Sequence, residues 1–431
     1  MLEPVRVGLA GLGTVGGGVV RLLKAQADLI EARCGQKIQI VAASARNLTR
    51  ARQLPLEGIR LIADSRELAN DPGIDVVVEL IGGAEGAARE LVEAALGAGK
   101  PVVTANKALL ARHGVELSKK AAMAGVPLLW EAAVAGGIPV VKGIREGLAA
   151  NQIREVIGIL NGTCNYILST MTATGRDFAD VLAEAQKLGY AEADPSFDID
   201  GIDTAHKIAL LSALAFGMAP DFAAVRVDGI RHVGALDIKF ASDLGYAIKL
   251  LAVARQTATG VEQRVQPCMV PAHSPLGSVG GPFNAVIAQG DFADRITWIG
   301  RGAGSEPTAS AVVADLIDLA RGHAPFLFGL APDKLATRPA LPASACIGSY
   351  YVRLMVLDQP GVIADVSAIL RDHEVSVESF LQRGRSPGEV VPVVFTTHET
   401  SEAAMQDSLK KITTLPAVKE PPQLMRVLEH I

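Results

Sequence analysis

The sequence predicts an α/β protein in three parts: an N-terminal dinucleotide-binding domain of Rossmann type, a central α+β domain and a small C-terminal βαββαβ module. Three observations predict it. A buried-strand run, Val5–Ala10, feeds directly into Gly11-Leu-Gly13-Thr-Val-Gly16 and then into a helical pattern from about Val15 to Ala27. Further apolar runs at Ile38–Ala43, Asp75–Ile81, Pro101–Thr104 and Pro127–Glu131 alternate with helical stretches, the pattern of a parallel sheet. Beyond a Pro/Ala-rich stretch, the last part of the chain repeats strand and helix patterns on a shorter scale.

The glycine turn is G-x-G-x-x-G in its required setting of strand, turn and helix. Its glycines permit the turn and let the backbone approach a pyrophosphate at the helix N-terminus. Gly11, Gly13, Thr14, Val15 and Gly16 are therefore expected cofactor contacts. The second strand ends in Ser44-Ala45-Arg46, with Arg50 and Arg52 beyond and no acid until Glu57. An acid there reads the ribose hydroxyls, whereas an arginine accommodates a 2′-phosphate. NADP(H) is therefore favoured over NAD(H), with Arg46 as the reader; an Arg46 that is merely exposed is the alternative.

Ligands of open α/β sheets lie at the carboxyl ends of the strands. Three such ends carry polar or glycine-rich segments: Gly82-Gly83, Thr104-Ala-Asn106-Lys107, and Glu131 through Gly136-Gly137 to Pro139. Thr104 and Lys107 sit where nicotinamide and substrate would meet. The last loop can turn carbonyls toward a cation or serve as a plain hinge.

Composition excludes several classes. The 431 residues are 49% apolar and 20% charged, enough for large buried cores. A net charge of −5 supplies no basic field for nucleic acid. Four cysteines, Cys34, Cys164, Cys268 and Cys346, are scattered without metal or disulfide spacing. No apolar run reaches membrane-spanning length, and the chain starts directly on a strand, so a cytoplasmic protein without a leader is expected.

Past Val140 the pattern changes. Val140–Leu148 reads as helix and Ile153–Ile159 as strand, and Leu160-Asn-Gly-Thr-Cys-Asn165 is a polar insert before another helix. Phe178–Lys187 is helical and leads into Gly189-Tyr-Ala-Glu-Ala-Asp-Pro-Ser-Phe-Asp-Ile-Asp-Gly-Ile-Asp-Thr-Ala-His-Lys207. Five carboxylates, Glu192, Asp194, Asp198, Asp200 and Asp203, face one lysine in this stretch. Asp194-Pro195 breaks a helix and Asp198–Gly201 reads as a polar turn. From Ile202 an almost wholly apolar helix begins, so Asp203 and Lys207, four apart, share one face of a buried element. A lysine there needs partners, and lysine shifts its proton affinity readily enough to act as acid or base. The competing reading is a surface ion pair.

Strands near Asp228–Gly229, Ala247–Ala258, Val261–Pro267 and Asn284–Gly290 complete an antiparallel-leaning sheet. Gly300-Arg-Gly302-Ala-Gly304 then opens a long helix, Ala309–Arg321, with Gly302 and Gly304 as a second cofactor contact, a return crossing or a tight turn. Ala324–Ser349 reads as linker. The module that follows runs strand Tyr350–Leu357, turn Asp358–Gly361, helix Val362–His373, strands Val375–Gln382 and Val390–Thr397, helix Glu402–Thr413 and a closing strand near Met425–Leu428.

Across nearly the whole chain these residues resemble the homoserine dehydrogenase family, in its monofunctional form with a C-terminal ACT domain. The carrying segments are GLGTVG (11–16), TANKALLA (104–111), EAAVAGGIP (131–139), GILNGTCNYIL (158–168), the stretch 184–207 and GAGSEPTASAVVAD (302–315). The resemblance implies domains at 1–135 (with return helix 303–322), 136–302 (substrate binding and dimerisation) and 349–431, the last two joined by a linker at 323–348. It implies reversible NAD(P)-linked interconversion of L-aspartate 4-semialdehyde and L-homoserine, in threonine and methionine biosynthesis. Lys207 becomes the proton donor and Asp203 its holder; Glu192, Asp198, Lys107 and Gly189 become substrate contacts. Glu131 with the carbonyls of Val134, Gly136 and Ile138 is implied as a monovalent-cation site, for Na⁺. L-threonine is implied as an effector of the C-terminal domain, and a homo-oligomer, dimer or tetramer, as the assembly.

Two other readings compete. Cys164 could form a thiohemiacetal, as in semialdehyde dehydrogenases, but such a nucleophile needs a base and the nearest histidine in sequence is His206. A cofactor-binding sensor without catalysis would have no need for the Asp203/Lys207 pair.

Overall fold

The computed structural model describes residues 3–46, 54–382 and 386–429; Arg50 and Arg52 lie outside them. The first sheet contains β1 (Val5–Ala10), β2 (Ile38–Ser44), β3 (Arg60–Ile62), β4 (Val76–Glu79), β5 (Val102–Thr104) and β6 (Leu128–Leu129). It is parallel throughout, in the order β3-β2-β1-β4-β5-β6. The order reverses between β1 and β4, so the crevice at their carboxyl ends is where a ligand sits. Helices cover both faces, which is why Val76, Val77 and Val78 in succession are all buried.

Helix Ser305–Ala320 returns from the central domain and packs on helix Thr14–Ala25. The approach is close: a Cβ on Gly18 would stand 2.5 Å from the Ser305 carbonyl oxygen. Ser305 Oγ also donates to the Thr14 carbonyl at 2.7 Å. Pro307 was expected to precede this helix, yet it lies in the first turn, where a missing N–H costs nothing.

The second sheet is largely antiparallel. Its strands are β7 (Ile153–Ile159), β8 (Arg226–Val227), β9 (Tyr246–Gln256), β10 (Val261–Pro271), β11 (Phe283–Gly290), β12 (Arg295–Arg301), β13 (Ile347–Leu357), β14 (Val377–Gln382), β15 (Val390–Thr397), β16 (Thr400–Ser401) and β17 (Gln423–Val427). The path is β12-β11-β7-β9-β10-β17-β13-β15-β14, with β8 on β10 and β16 on β13. The C-terminal module has the expected βαββαβ order, but it is not a free appendage. Its last strand, β17, pairs with β10 at Cys268↔Arg426 and Met269↔Val427, so the sheet is continuous across both parts.

Several expectations are corrected. Val140–Leu148 is a short helix, Val140–Lys142, running into a π-turn at Gly143–Gly147. Asp198–Gly201 is not a simple turn: helix Ser196–Ile199 precedes a left-handed Gly201. The short strand expected near Asp228 lies at Arg226–Val227. Gly300 belongs to edge strand β12, and helix Ala235–Asp243 was not anticipated. The stretch 324–349 is packed rather than a bare linker. Phe328 is fully buried, the Trp130 indole donates to the Leu327 carbonyl at 2.7 Å, and Ala336 and Ala340 bridge to Met218 and Val261.

Candidate active site

The glycine turn works by contact as well as by torsion. Gly11 has φ 101°, and a Cβ on Gly16 would lie 1.9 Å from the Gly11 carbonyl oxygen, so neither position admits a side chain. Above Gly13 there is open space, which leaves backbone free to approach a phosphate. A cleft of about 730 Å³ opens there, walled by Gly11, Gly13, Ser44, Arg46, Asp64 and Arg66 among others. Arg46 is exposed at its edge. The fold adds two residues that spacing along the chain had not connected with Arg46. Arg66 is a second cation on the same wall, and Asp64 is an acid engaged by Arg66 at 2.7 Å. Thr14 is exposed at the turn, Val15 half-buried.

At the neighbouring strand ends a buried carboxylate, Glu79, arranges the crevice. It accepts the Ile81 and Gly82 N–H groups at 2.7 and 3.0 Å and the Thr104 hydroxyl at 2.6 Å. Thr104 is therefore buried and structural in its contacts, and Glu79 was overlooked because DVVVELI reads only as a strand. Asn106 caps helix Lys107–Ala124 and sets Lys107 on its first turn, at the edge of the crevice.

Lys107 points to the central domain, and there the predicted cluster assembles. Lys207 Nζ donates to Asp203 Oδ2 and to the Leu160 carbonyl, each at 2.7 Å. The other Asp203 oxygen faces Lys107 at 3.0 Å. Asn161 Nδ2 donates to Asp198 Oδ1 at 2.8 Å and to Asp203 Oδ2 at 2.9 Å. Asp203, Lys207 and Asn161 are all buried. Burial alone would raise the Asp203 carboxyl, but Lys207 and Lys107 outweigh it and hold the group well below the usual carboxylate range. At Asp198 burial prevails and its affinity for a proton is raised, the Asn161 bond opposing. One carboxylate is thus held ionised, while burial shifts its neighbour toward the protonated form.

Glu192 and Gly189 are exposed, and the Glu192 carboxylate makes no bond to the described residues. Gly304, φ 123°, caps helix Ser305–Ala320. Gly302 is buried and serves packing: a Cβ there would lie 2.0 Å from Asn284 Nδ2.

The Cys164 alternative fails on geometry. The thiol is wholly buried and bonds the Asp198 carbonyl at 3.3 Å, and burial, with Asp198 next, pushes its pKa well above the ordinary value. His206 is bound to the Ile202 carbonyl and stacked on Phe222, ring centroids 4.1 Å apart, so it is not the partner base.

Glu131 accepts the N–H groups of Val141 and Lys142 at 3.0 and 2.8 Å, while its own N–H donates to Asp315 at 2.9 Å. Burial, and then Asp315, push its carboxyl up to about 7. Val134, Gly136 and Ile138 are buried on the loop that follows, where Ala135 and Gly136 have positive φ. Among the described residues no cluster of three His, Cys, Asp or Glu side chains could hold a metal ion, and no helix is long and apolar enough to cross a membrane.

Comparison with known proteins agrees with this architecture. Family models match at 11–131 (homoserine dehydrogenase, NAD binding domain), 139–317 (homoserine dehydrogenase) and 350–414 (ACT domain). The homoserine dehydrogenases of Pseudomonas aeruginosa and Neisseria gonorrhoeae are 45% and 44% identical to the chain, each alignment covering 99% of both proteins. The crystal structure of a homoserine dehydrogenase from Thiobacillus denitrificans is 46% identical and superposes with a TM-score of 0.94, over 99% of this chain and 98% of that one. A hyperthermophilic archaeal homoserine dehydrogenase, solved in complex with NADPH, is 25% identical with a TM-score of 0.64, over 75% of this chain and 99% of that one. With its dinucleotide-binding sheet, its buried lysine–aspartate cluster and its C-terminal ACT domain, the chain belongs to the homoserine dehydrogenase family of NAD(P)-dependent oxidoreductases.

Proposed function

We propose that the Asp203–Lys207 cluster carries the proton transfer in the interconversion of L-aspartate 4-semialdehyde and L-homoserine, with NADP(H) as the preferred cofactor. The observation that carries this reading is the double anchoring of Lys207 Nζ, between the Leu160 carbonyl and Asp203, in a buried site. The nicotinamide cofactor, when bound, supplies or accepts the hydride. Reduction of the aldehyde leaves an alkoxide, and the Lys207 ammonium donates its proton to that oxygen; in reverse the neutral amine removes it. Asp203 keeps the lysine aimed, accepting from its Nζ at 2.7 Å. Asp198 and exposed Glu192 then meet the substrate ammonium, and Lys107, held by Asp203 on the cofactor side, meets the nicotinamide end. Gly189 frees the chain to turn toward Glu192, its φ being 76°.

Preference for NADP(H) is supported by Arg46 and Arg66 on one wall of the cleft, and by the NADPH carried by the archaeal relative. Arg66 is itself engaged by Asp64 and Glu90, so Arg46 carries the larger part of this preference. Glu131 would hold a monovalent cation, Na⁺, together with the carbonyls of Val134, Gly136 and Ile138. A buried carboxylate whose charge is under-compensated, beside all-oxygen donors, suits a hard ion. We assign L-threonine to the C-terminal module, at the turn Asp358–Gly361 opening helix Val362–Asp372, where first-turn N–H groups face a carboxylate. A homo-oligomer in the cytoplasm completes the reading.

The test is direct. NADPH absorbance should fall on adding L-aspartate 4-semialdehyde, with no requirement for phosphate or added thiol. No fall with NADPH, together with a phosphate- or thiol-dependent rise when NADP⁺ is supplied in its place, would mark a thioester route and sink the reading.

A further inference from the structure

We propose that Asn161 is a positioning residue that, through one shared amide group, orients Asp198 for the substrate ammonium and Asp203 for Lys207. The inference deepens the function proposed above and rests on it. Asn161 follows β7 and precedes helix Gly162–Thr174, far in sequence from the acidic stretch it serves.

Its amide has a single available orientation. Oδ1 accepts the Cys164 N–H at 2.9 Å as the helix N-cap, so Nδ2 must point the other way. Both Nδ2 hydrogens are then used, toward Asp198 Oδ1 at 2.8 Å and Asp203 Oδ2 at 2.9 Å. The preceding residue contributes too, since the Leu160 carbonyl receives Lys207. One strand-to-helix junction therefore touches all three groups of the cluster.

The consequence differs for the two carboxylates. Asp203 is saturated: Oδ2 receives Asn161 and Lys207, and Oδ1 faces Lys107. Asp198 Oδ1 is tied to Asn161, while Asp198 Oδ2 accepts no bond from the described residues and is left for an incoming cation. Asp198 has no such lysine clamp. Facing the pair are Lys107 on helix Lys107–Ala124, Lys207 and His206 on helix Ile202–Phe216, the neutral Cys164 thiol, and Asp200, which Arg231 engages. Removing the amide takes away the bond that opposes protonation of Asp198.

Two variants separate positioning from folding. Asn161→Ser keeps a capping oxygen without the paired donors, and Asn161→Asp keeps shape and cap while placing a third carboxylate between two others. Thermal midpoints verify the fold of each. A bond to a charged group is worth roughly 10- to 150-fold in an equilibrium constant. The expected result is a homoserine KM raised by about that factor, an acid limb of kcat/KM moved to higher pH, and NADPH binding unchanged, with Asn161→Asp the worse. An unaltered KM and pH profile in both variants overturns the proposal. So does an equal loss in every parameter including NADPH affinity, which marks a merely structural cap. Failure of the underlying function looks different: a Lys207 variant then keeps its turnover whatever Asn161 does.

Discussion

At Asp203 two lysines divide one carboxylate, Lys207 on Oδ2 and Lys107 on Oδ1, so a single ionised side chain links helix Ile202–Phe216 to helix Lys107–Ala124. Cofactor choice is also a residue-scale matter. Arg46 stands exposed at the end of β2. Arg46→Ala should raise KM for NADPH and barely alter KM for NADH; initial rates with both cofactors decide it, and an equal effect on both assigns Arg46 to the fold. Asp203 and Lys207 were legible because a helix makes residues four apart neighbours. Asn161 was not, because its partners lie 37 and 42 positions away and only the packing of two helices brings them together. Glu79 was hidden within an apolar strand, where a carboxylate shows nothing of the N–H groups and hydroxyl that satisfy it.

Elements with a strong local signature were legible. The turn after β1, the parallel strands and helix Ile202–Phe216 follow from glycine spacing and apolar runs. Edge strand β12 did not, because Arg-Ile-Thr-Trp-Ile-Gly-Arg ends in the glycines that read as a turn. Strand β9 holds another feature without a sequence signal, Lys249. It is buried with only neutral partners, Val279 O at 2.6 Å and Asn165 Oδ1 at 3.3 Å, and burial lowers its pKa to about 8. The unfolded chain keeps the ordinary value of 10.5 and so binds more protons between about 8 and 10.5, and stability must rise with pH across that window. Thermal midpoints of wild type and Lys249→Met should therefore diverge in the wild type's favour from pH 8 to pH 10. Parallel pH curves would show that burial leaves the proton affinity of Lys249 where it is in the unfolded chain.

At the scale of the molecule, the C-terminal module is built into the catalytic sheet. Beyond the β17–β10 pairing, fully buried Asp237 accepts Arg353 Nε at 2.7 Å and the Tyr351 hydroxyl at 3.1 Å. A chain ended near Ala340 loses Arg353, Tyr351 and strand β17 together, uncovering Asp237 and the edge of β10. Truncation is thus a poor test of regulation, and titration of the full chain is the better one. Allosteric coupling of about 1–3 kcal/mol predicts that L-threonine weakens substrate or cofactor binding roughly 5- to 150-fold; no response at millimolar threonine removes it as the effector. That a third module existed was legible from its repeated strand and helix pattern. Its attachment was not, since sheet continuity is decided by pairing between strands far apart in the chain. The central claim remains the proton transfer at Lys207, and the measurement closest to it is kcat of Lys207→Met alongside its NADPH affinity. A positioned acid contributes about 10²–10⁴-fold, so turnover should fall by that order with NADPH binding nearly unchanged, whereas near-native turnover would contradict the account.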